Sequence, residues 1–386
     1  MVYLDNVATF KAIYKDRCVY LDNAATSHFK PKCVYDSLTY DLKNSANSGR
    51  SGHRLAINCA LGIEKARNYF TAKFGGDNLV FTKNCTEALN LAIFGYVKEG
   101  MRVVTTENEH NSVLRPLYAL ADRGIINLLV VPLKDGCLPF ESLKTASKDA
   151  DLVVVSLISN VLGTVTNISA LGECLKDTKT KLLVDGAQGV PVLDVDMKKQ
   201  HVDMLALPAH KGLHGVQGVG ALLFNEDVSL NPIIYGGTGT ESFSTEQPTT
   251  IPEGFEAGTQ FSGGISAMHA GAYWTYARID DYRNTLKTLS KECGKQLLNM
   301  GVKVYNKEFD SGIVTFNVGD KDSQDVASLL DDDGIAVRGG VHCAPLVHRH
   351  LGTTRQGAVR VSFGIDSTER DLIKLLSSVE KIKKGR

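Results

Sequence analysis

Leu205-Ala206-Leu207-Pro208-Ala209-His210-Lys211-Gly212-Leu213-His214-Gly215 is the stretch from which the rest of the chain can be read. A short apolar strand, Met204 to Leu207, ends in a His-Lys pair and opens into glycine-spaced sequence. In an α/β protein that arrangement sets a reactive amine at the carboxyl end of the sheet, where such folds bind ligands. A lysine is useful there because burial lowers the pKa of an amine, turning it into a base or a Schiff-base former. A lone lysine in a turn is more often simply solvated. What decides between these readings is whether other chemistry converges on Lys211.

Working outward, strand and helix patterns alternate on both sides of this stretch. Strands are expected over Leu79 to Thr82, Arg102 to Thr106, Leu128 to Pro132, Leu152 to Leu157, Leu182 to Asp185 and Gly220 to Phe224. Between them lie helical patterns from Arg54 to Phe74, Cys85 to Val97 and Asn111 to Asp122, with others from Phe140 and Leu171. Apolar strands alternating with helices predict an α/β fold with a mostly parallel sheet covered on both faces. A Gly-, Thr-, Ser- and Pro-rich run from Tyr235 to Ser266 reads as long loops, and one long helix is expected from Ser266 to Met300. The remainder reads as a smaller α+β C-terminal domain. The expected division is 1–18 as an N-terminal extension, 19–260 as the large domain and 261–386 as the small one, with the N-terminal segment able to pack with it. Val2-Tyr3-Leu4-Asp5-Asn6-Val7-Ala8-Thr9 recurs with one change as Val19-Tyr20-Leu21-Asp22-Asn23-Ala24-Ala25-Thr26. The second copy is taken as the working segment.

Composition narrows the function classes. The 386 residues balance 43 Lys and Arg against 43 Asp and Glu, which gives no support to nucleic acid or an anionic membrane as a main partner. No apolar run is long enough to span a bilayer and no signal-peptide pattern opens the chain, so the expected compartment is the cytoplasm. Eight cysteines without a CxxC pair argue against a disulfide framework, and most are expected to be small buried residues.

Four loops leave the carboxyl ends of the large domain's strands. Lys83-Asn84-Cys85-Thr86-Glu87 can cap a helix whose first amides suit a phosphate. Glu107-Asn108-Glu109-His110-Asn111 offers a histidine that can stack on a planar ring or move a proton. Asp185-Gly186-Ala187-Gln188 offers a carboxylate for a protonated ring nitrogen, and Lys211 follows one helix-and-strand unit later. Each is ordinary alone; together they are what pyridoxal 5'-phosphate requires. Neither G-x-G-x-x-G nor G-x-x-x-x-G-K-[ST] occurs, which removes the main support for dinucleotide or P-loop readings. In the small domain, Arg338-Gly339-Gly340-Val341-His342-Cys343 reads as a glycine-loosened loop in which Arg338 and His342 can acidify the Cys343 thiol. A metal site from His342, Cys343, His348 and His350 is the alternative, although the spacing fits none of the common zinc patterns. Arg360 can hold a carboxylate through its guanidinium fork or form a structural ion pair.

These motifs, with Cys85-Thr86-Glu87-Ala88-Leu89-Asn90, Ser159-Asn160-Val161-Leu162-Gly163 and Phe255-Glu256-Ala257-Gly258-Thr259, resemble fold-type I pyridoxal-phosphate enzymes of the class V aminotransferase group. The likeness is to the cysteine desulfurases and selenocysteine lyases, and the Arg-x-Gly-x-His-Cys loop is similar to the group II (Suf-type) members. It implies a roster of roles. Lys211 would bond to the cofactor and act as base, Asp185 would pair with the ring nitrogen, Gln188 would meet the ring hydroxyl and His110 would stack. The Cys85 amide, Thr86 and His210 would hold the phosphate, with Thr238 of the partner subunit in a homodimer. Ala25, Asn160 and Arg360 would bind the substrate, and Cys343 would take the sulfur of L-cysteine as a persulfide, releasing alanine to leave sulfur for an acceptor protein. A selenocysteine lyase, an aminotransferase or a β-lyase could use the same fold. Two departures stand out. Pro208 sits where many relatives carry a phosphate-binding serine, implying weaker cofactor affinity, and Gly215-Val216 replaces a usual Gly-Pro.

Overall fold

The structure is a computed structural model that describes residues 18–48 and 51–385. The first copy of the N-terminal repeat, at residues 2–9, lies outside the described residues.

In chain order the elements begin with β1 (Val19–Tyr20), α1 (Lys32–Asn44), α2 (Arg54–Phe74), β2 (Asn78–Thr82), α3 (Cys85–Tyr96), β3 (Arg102–Thr106), α4 (Asn111–Asp122) and β4 (Asn127–Val131). Then come α5 (Phe140–Ser147), β5 (Leu152–Ser156), α6 (Ile168–Leu175), β6 (Lys181–Asp185), β7 (Met204–Pro208), β8 (Gly220–Phe224), α7 (Ser262–Tyr276) and α8 (Ile279–Asn299). The chain closes with β9 (Lys303–Val304), β10 (Ile313–Asn317), α9 (Ser323–Asp332), β11 (Ile335–Ala336), β12 (Arg338–Gly340), α10 (Pro345–His350), β13 (Ala358–Ser362) and α11 (Glu369–Lys383).

Among the described residues the chain forms two compact units. One comprises 29–160 and 164–280; the other comprises 18–28, 161–163 and 281–385.

The larger unit is built on a seven-stranded sheet in the order β2-β8-β7-β6-β5-β3-β4. β8 runs antiparallel to both neighbours and the other pairings are parallel. β5, β7 and β8 are buried along their whole length, which explains their continuous apolar sequence. Edge strand β4 instead alternates between exposed and partly buried positions. Val80, Leu89, Val103, Leu117, Leu152, Leu183, Ala206 and Leu222 join one core between the sheet and its covering helices. Each buried Val or Leu among them contributes about 1.5–3 kcal/mol against exposure.

The smaller unit carries a four-stranded antiparallel sheet, β12-β13-β10-β9, and a short parallel pair, β1-β11. The second copy of the repeat is stitched to β13. Ser362 N–H donates to Leu21 O at 2.7 Å, Asn23 Nδ2 donates to Ser362 O at 3.1 Å, and Ala24 N–H donates to Ser362 Oγ at 2.9 Å.

Three sequence expectations need correction. The long helix from Ser266 to Met300 is two helices, α7 and α8. The break comes where Ala277 and Arg278 N–H groups turn back to Thr275 O and tighten the last turn, and Asp280 and Asp281 then supply acids suited to a new helix start. Only Cys59, Cys85 and Cys293 of the eight cysteines are buried, and all eight are free thiols. Gly339-Gly340 is strand rather than loose loop. A Cβ on Gly339 would collide with the Ser323 carbonyl oxygen, so this glycine serves close packing against the start of α9. Among the described residues no helix is long and apolar enough to cross a membrane.

Candidate active site

Asn84, Cys85, Thr86, His110, Ser112, Ser156, Asn160, Asp185, Gln188, Pro208, His210 and Lys211 line one cavity of about 190 Å³ in the larger unit. The sheet explains the convergence. β2, β3, β5, β6 and β7 each end here, so a residue just past any of these strands faces the same space. Lys211 follows β7 in a turn closed by His214 N–H to Lys211 O at 2.9 Å and Gly215 N–H to Ala209 O at 2.8 Å. Gly212 is forced by packing: a Cβ there would lie 2.5 Å from Pro191 Cδ and 2.6 Å from Val190 O. His214, buried with φ of 54°, anchors the turn through Nδ1 to Thr275 Oγ1 of α7 at 2.9 Å.

Asp185 ends β6, buried to 4 % exposure. Its Oδ1 accepts from Ala187 N–H at 2.9 Å and from the Cys85 thiol at 3.6 Å. Burial raises the carboxyl above its ordinary range, while the Ala187 amide and the charge of Lys211 pull it back. A buried carboxylate with so few donors is a site for a cationic N–H.

Asn84 caps α3, its Oδ1 accepting from Glu87 N–H at 2.9 Å. Glu87 reaches back to Lys83 N–H at 2.8 Å rather than to the cap residue's own amide, one residue off a true capping box. The Cys85 and Thr86 amides therefore sit in the first turn of a helix, where the dipole favours an anion. Thr86 Oγ1 lies 2.8 Å from Ser112 Oγ, and Ser112 Oγ lies 2.9 Å from His110 Nδ1. The Ser112 N–H donates to that same Nδ1 at 3.1 Å, which leaves the ring proton of a neutral His110 on Nε2. Burial, with the charges of Lys211 and Lys30, pushes His210 down to about 4, so its ring is neutral at pH 7. This donor set fits pyridoxal phosphate: helix amides and a hydroxyl for the phosphate, a buried carboxylate for the ring nitrogen, a histidine face and an amine.

Sequence reasoning passed over Glu109, Ser112, Ser156 and His214. Glu109 is 1 % exposed, and its two oxygens accept from Thr106 Oγ1 at 2.7 Å and Ser156 Oγ at 2.6 Å. Burial pushes its carboxyl up to about 8, with Asp185 adding to the rise. The available signal was a carboxylate three residues past β3, next to a candidate histidine.

The remaining expected site residues lie elsewhere. Thr238 is in an exposed loop, its Oγ1 3.2 Å from Thr240 Oγ1. In the smaller unit, Arg360 is 1 % exposed on β13, and its Nη2 donates to Asp22 Oδ1 at 2.9 Å. Ala25 N–H donates to Asp22 O at 3.0 Å in the adjoining turn. Cys343 and His342 both have positive φ, 57° and 50°, a left-handed pair that side chains rarely adopt. Arg338 Nη2 lies 3.9 Å from Cys343 Sγ. His342 does not help acidify the thiol. Its Nε2 pairs with Ala358 O at 2.9 Å, and burial holds the ring far below its ordinary pKa, hence uncharged. His348 is likewise buried and bonded to Thr353 Oγ1 at 2.8 Å. Among the described residues no three His, Cys, Asp or Glu side chains gather as metal ligands.

Residues 19–375 match the family Aminotransferase class-V, and the chain belongs to that family. Its relatives point to one branch. It is 35% identical over 384 residues to a probable cysteine desulfurase of Pyrococcus abyssi, covering 95% of this chain and 94% of that one. It is 32% identical to a probable cysteine desulfurase of Halalkalibacterium halodurans, covering 95% of this chain and 93% of the relative. Among solved structures, an apo cysteine desulfurase from Thermococcus onnurineus superposes with a TM-score of 0.90 at 34% identity, over 97% of this chain and 98% of that one.

Proposed function

We propose that this chain is a pyridoxal-phosphate-dependent cysteine desulfurase, converting L-cysteine to L-alanine with the sulfur passing to Cys343. The observation that carries this reading is the single cavity onto which the α3 amides, Thr86, His110, Asp185, Gln188, His210 and Lys211 converge. The family and the named activity of its relatives agree with it.

Pyridoxal phosphate, when bound, supplies an electron sink for bond-breaking at the amino acid. The protein's own groups do the rest. The Cys85 and Thr86 amides, the Thr86 hydroxyl and His210 would hold the phosphate; Asp185 would pair with the ring nitrogen, Gln188 would meet the ring hydroxyl and His110 would cover the ring. Lys211 would hold the cofactor through its amine and, as a free amine, would take the substrate Cα proton. Ala25, Asn160 and Arg360 bind the substrate, with Arg360 kept in place by Asp22. The Cys343 thiolate attacks the substrate sulfur. Its S–S bond forms as the substrate Cβ–S bond breaks and the bonding pair goes to Cβ; alanine is completed by one proton at Cβ and by the proton that Lys211 returns to Cα. The Arg338 guanidinium lies beside Cys343.

The unit of 29–160 and 164–280 serves as the cofactor domain, and the other carries the sulfur-accepting cysteine. A homodimer in which Thr238 of the partner subunit reaches the phosphate accounts for an exposed loop whose Tyr235 and Phe243 side chains lie open. Eight free thiols suit a reducing compartment, the cytoplasm.

Mass analysis of peptides after incubation with L-cysteine tests the reading, with one added sulfur expected on the peptide bearing Cys343. A Cys343→Ser protein that still releases alanine at the normal rate would remove Cys343 from the reaction. Comparing kcat/KM for cysteine and selenocysteine separates desulfurase from selenocysteine lyase.

A further inference from the structure

We propose that the Cys85 side chain is a positioning residue for Asp185, its S–H donating to Oδ1 and keeping the carboxylate an anion turned toward the cofactor's ring nitrogen. This rests on the assignment of Asp185 as the ring-nitrogen partner. In the proposed site only the Cys85 backbone amide meets the phosphate, which leaves its thiol without a role there.

Cys85 is the first residue of α3, a place where helix amides usually acidify a thiol. Here the opposite holds. Burial, with Asp185 close by, drives the thiol pKa well above its ordinary value, so the sulfur keeps its proton. A protonated thiol beside a carboxylate can act toward it only as a donor. The geometry agrees, with Sγ 3.6 Å from Oδ1, the same oxygen that accepts the Ala187 N–H at 2.9 Å. Both donors therefore act on one oxygen. The titratable groups around Asp185 are Lys211 after β7, whose charge favours its ionised form, and Glu109 after β3, whose own ionisation Asp185 opposes. Against the dry surroundings, the thiol joins the Ala187 amide and Lys211 in holding Asp185 ionised. The competing role is packing alone, because Cys85 also belongs to the core with Ala88, Leu89 and Leu222.

The two roles part in the pH dependence of cofactor binding. Losing a donor raises the Asp185 pKa, and a protonated Asp185 cannot pair with a ring N–H cation. The test is the dissociation constant of pyridoxal phosphate for apoprotein, followed by absorbance from acid to neutral pH. It compares wild type with Cys85→Ser, Cys85→Val, Cys85→Ala and Asp185→Asn, each checked for folding by its melting curve. The acid limb of affinity should move up by about one pH unit in Cys85→Ala and Cys85→Val, a tenfold change in proton affinity. In Cys85→Ser, which keeps a donor, it should stay in place. Wild-type limbs in Cys85→Ala and Cys85→Val, or a Cys85→Ser limb that moves with theirs, would overturn the role while leaving Asp185 intact. An Asp185→Asn protein that binds as wild type does at every pH would overturn the Asp185 assignment, and this role with it.

Discussion

Glu256 and Asp185 are both buried carboxylates in the larger unit, and the protein treats them oppositely. Glu256 takes both prongs of the Arg67 guanidinium, at 2.9 and 3.1 Å, and the Phe81 N–H at 2.7 Å. Arg67 also donates to Leu79 O at 2.5 Å, so the pair ties the loop after residue 250 to edge strand β2. Asp185 has one amide and one thiol on a single oxygen. A carboxylate whose bonding is closed within the chain is scaffold. One left short of donors at a cavity wall is there for a visitor. The Phe255-Glu256-Ala257-Gly258-Thr259 motif thus reads as architecture, and Asp185-Gly186-Ala187-Gln188 as chemistry.

This contrast can be broken by substitution. Asp185→Ala should lower kcat/KM for alanine formation from L-cysteine by about a thousandfold, near 4 kcal/mol, because it removes a preorganised charge from the reaction centre. Its melting temperature should hold or rise, since a buried, poorly satisfied carboxylate has been removed. Glu256→Ala should behave in the reverse sense. Buried Arg67 would keep only Glu64 and the Leu79 carbonyl, and the lost bonds should cost about 1–3 kcal/mol of stability in denaturant unfolding, while the fraction that remains folded still binds cofactor.

Glu109 sharpens the comparison as an intermediate case. Its folded-state pKa, about 8, lies above the ordinary 4.5, so the stability it lends in protonated form is complete below pH 4.5 and is lost as pH rises toward 8. Glu109→Gln keeps the neutral shape without that penalty. The variant should match wild type at acid pH and outlast it thermally by a growing margin up to pH 8. Equal pH profiles in thermal unfolding would count against a neutral Glu109. The smallest effect is expected at Pro208, which ends β7 on the cavity wall with no N–H to offer. Pro208→Ser adds a hydroxyl donor there and should tighten pyridoxal phosphate by about fivefold, the worth of one hydrogen bond of about 1 kcal/mol, measured by titrating apoprotein.

Much of this was legible in the residues. Strands such as Leu152-Val153-Val154-Val155 declared themselves because burial on both faces demands unbroken apolar sequence. Lys211, Asp185, His110 and Thr86 could be grouped because each follows a strand of one sheet, and strand ends share an edge. The break between α7 and α8 was not legible. Tyr276-Ala277-Arg278-Ile279 holds neither glycine nor proline, and the break comes from the tightened last turn of α7. His342 was misjudged for a related reason. Its flanks look polar and open in sequence, but its ring is turned inward to a β13 carbonyl. Ser112 and Ser156 escaped notice because a serine acquires meaning only from what stands within hydrogen-bond reach.

The packing of Gly339 on the start of α9 has a consequence for the chemistry downstream. It pins one end of a short tether, and Pro345, opening α10, pins the other. Cys343 sits three residues past Gly340, a leash of about 10 Å when fully drawn out. On the proposed role of Cys343, a sulfur atom held there would have a small radius of travel. Delivery would then fall to the acceptor, which would have to bring its own nucleophile inside that radius to collect.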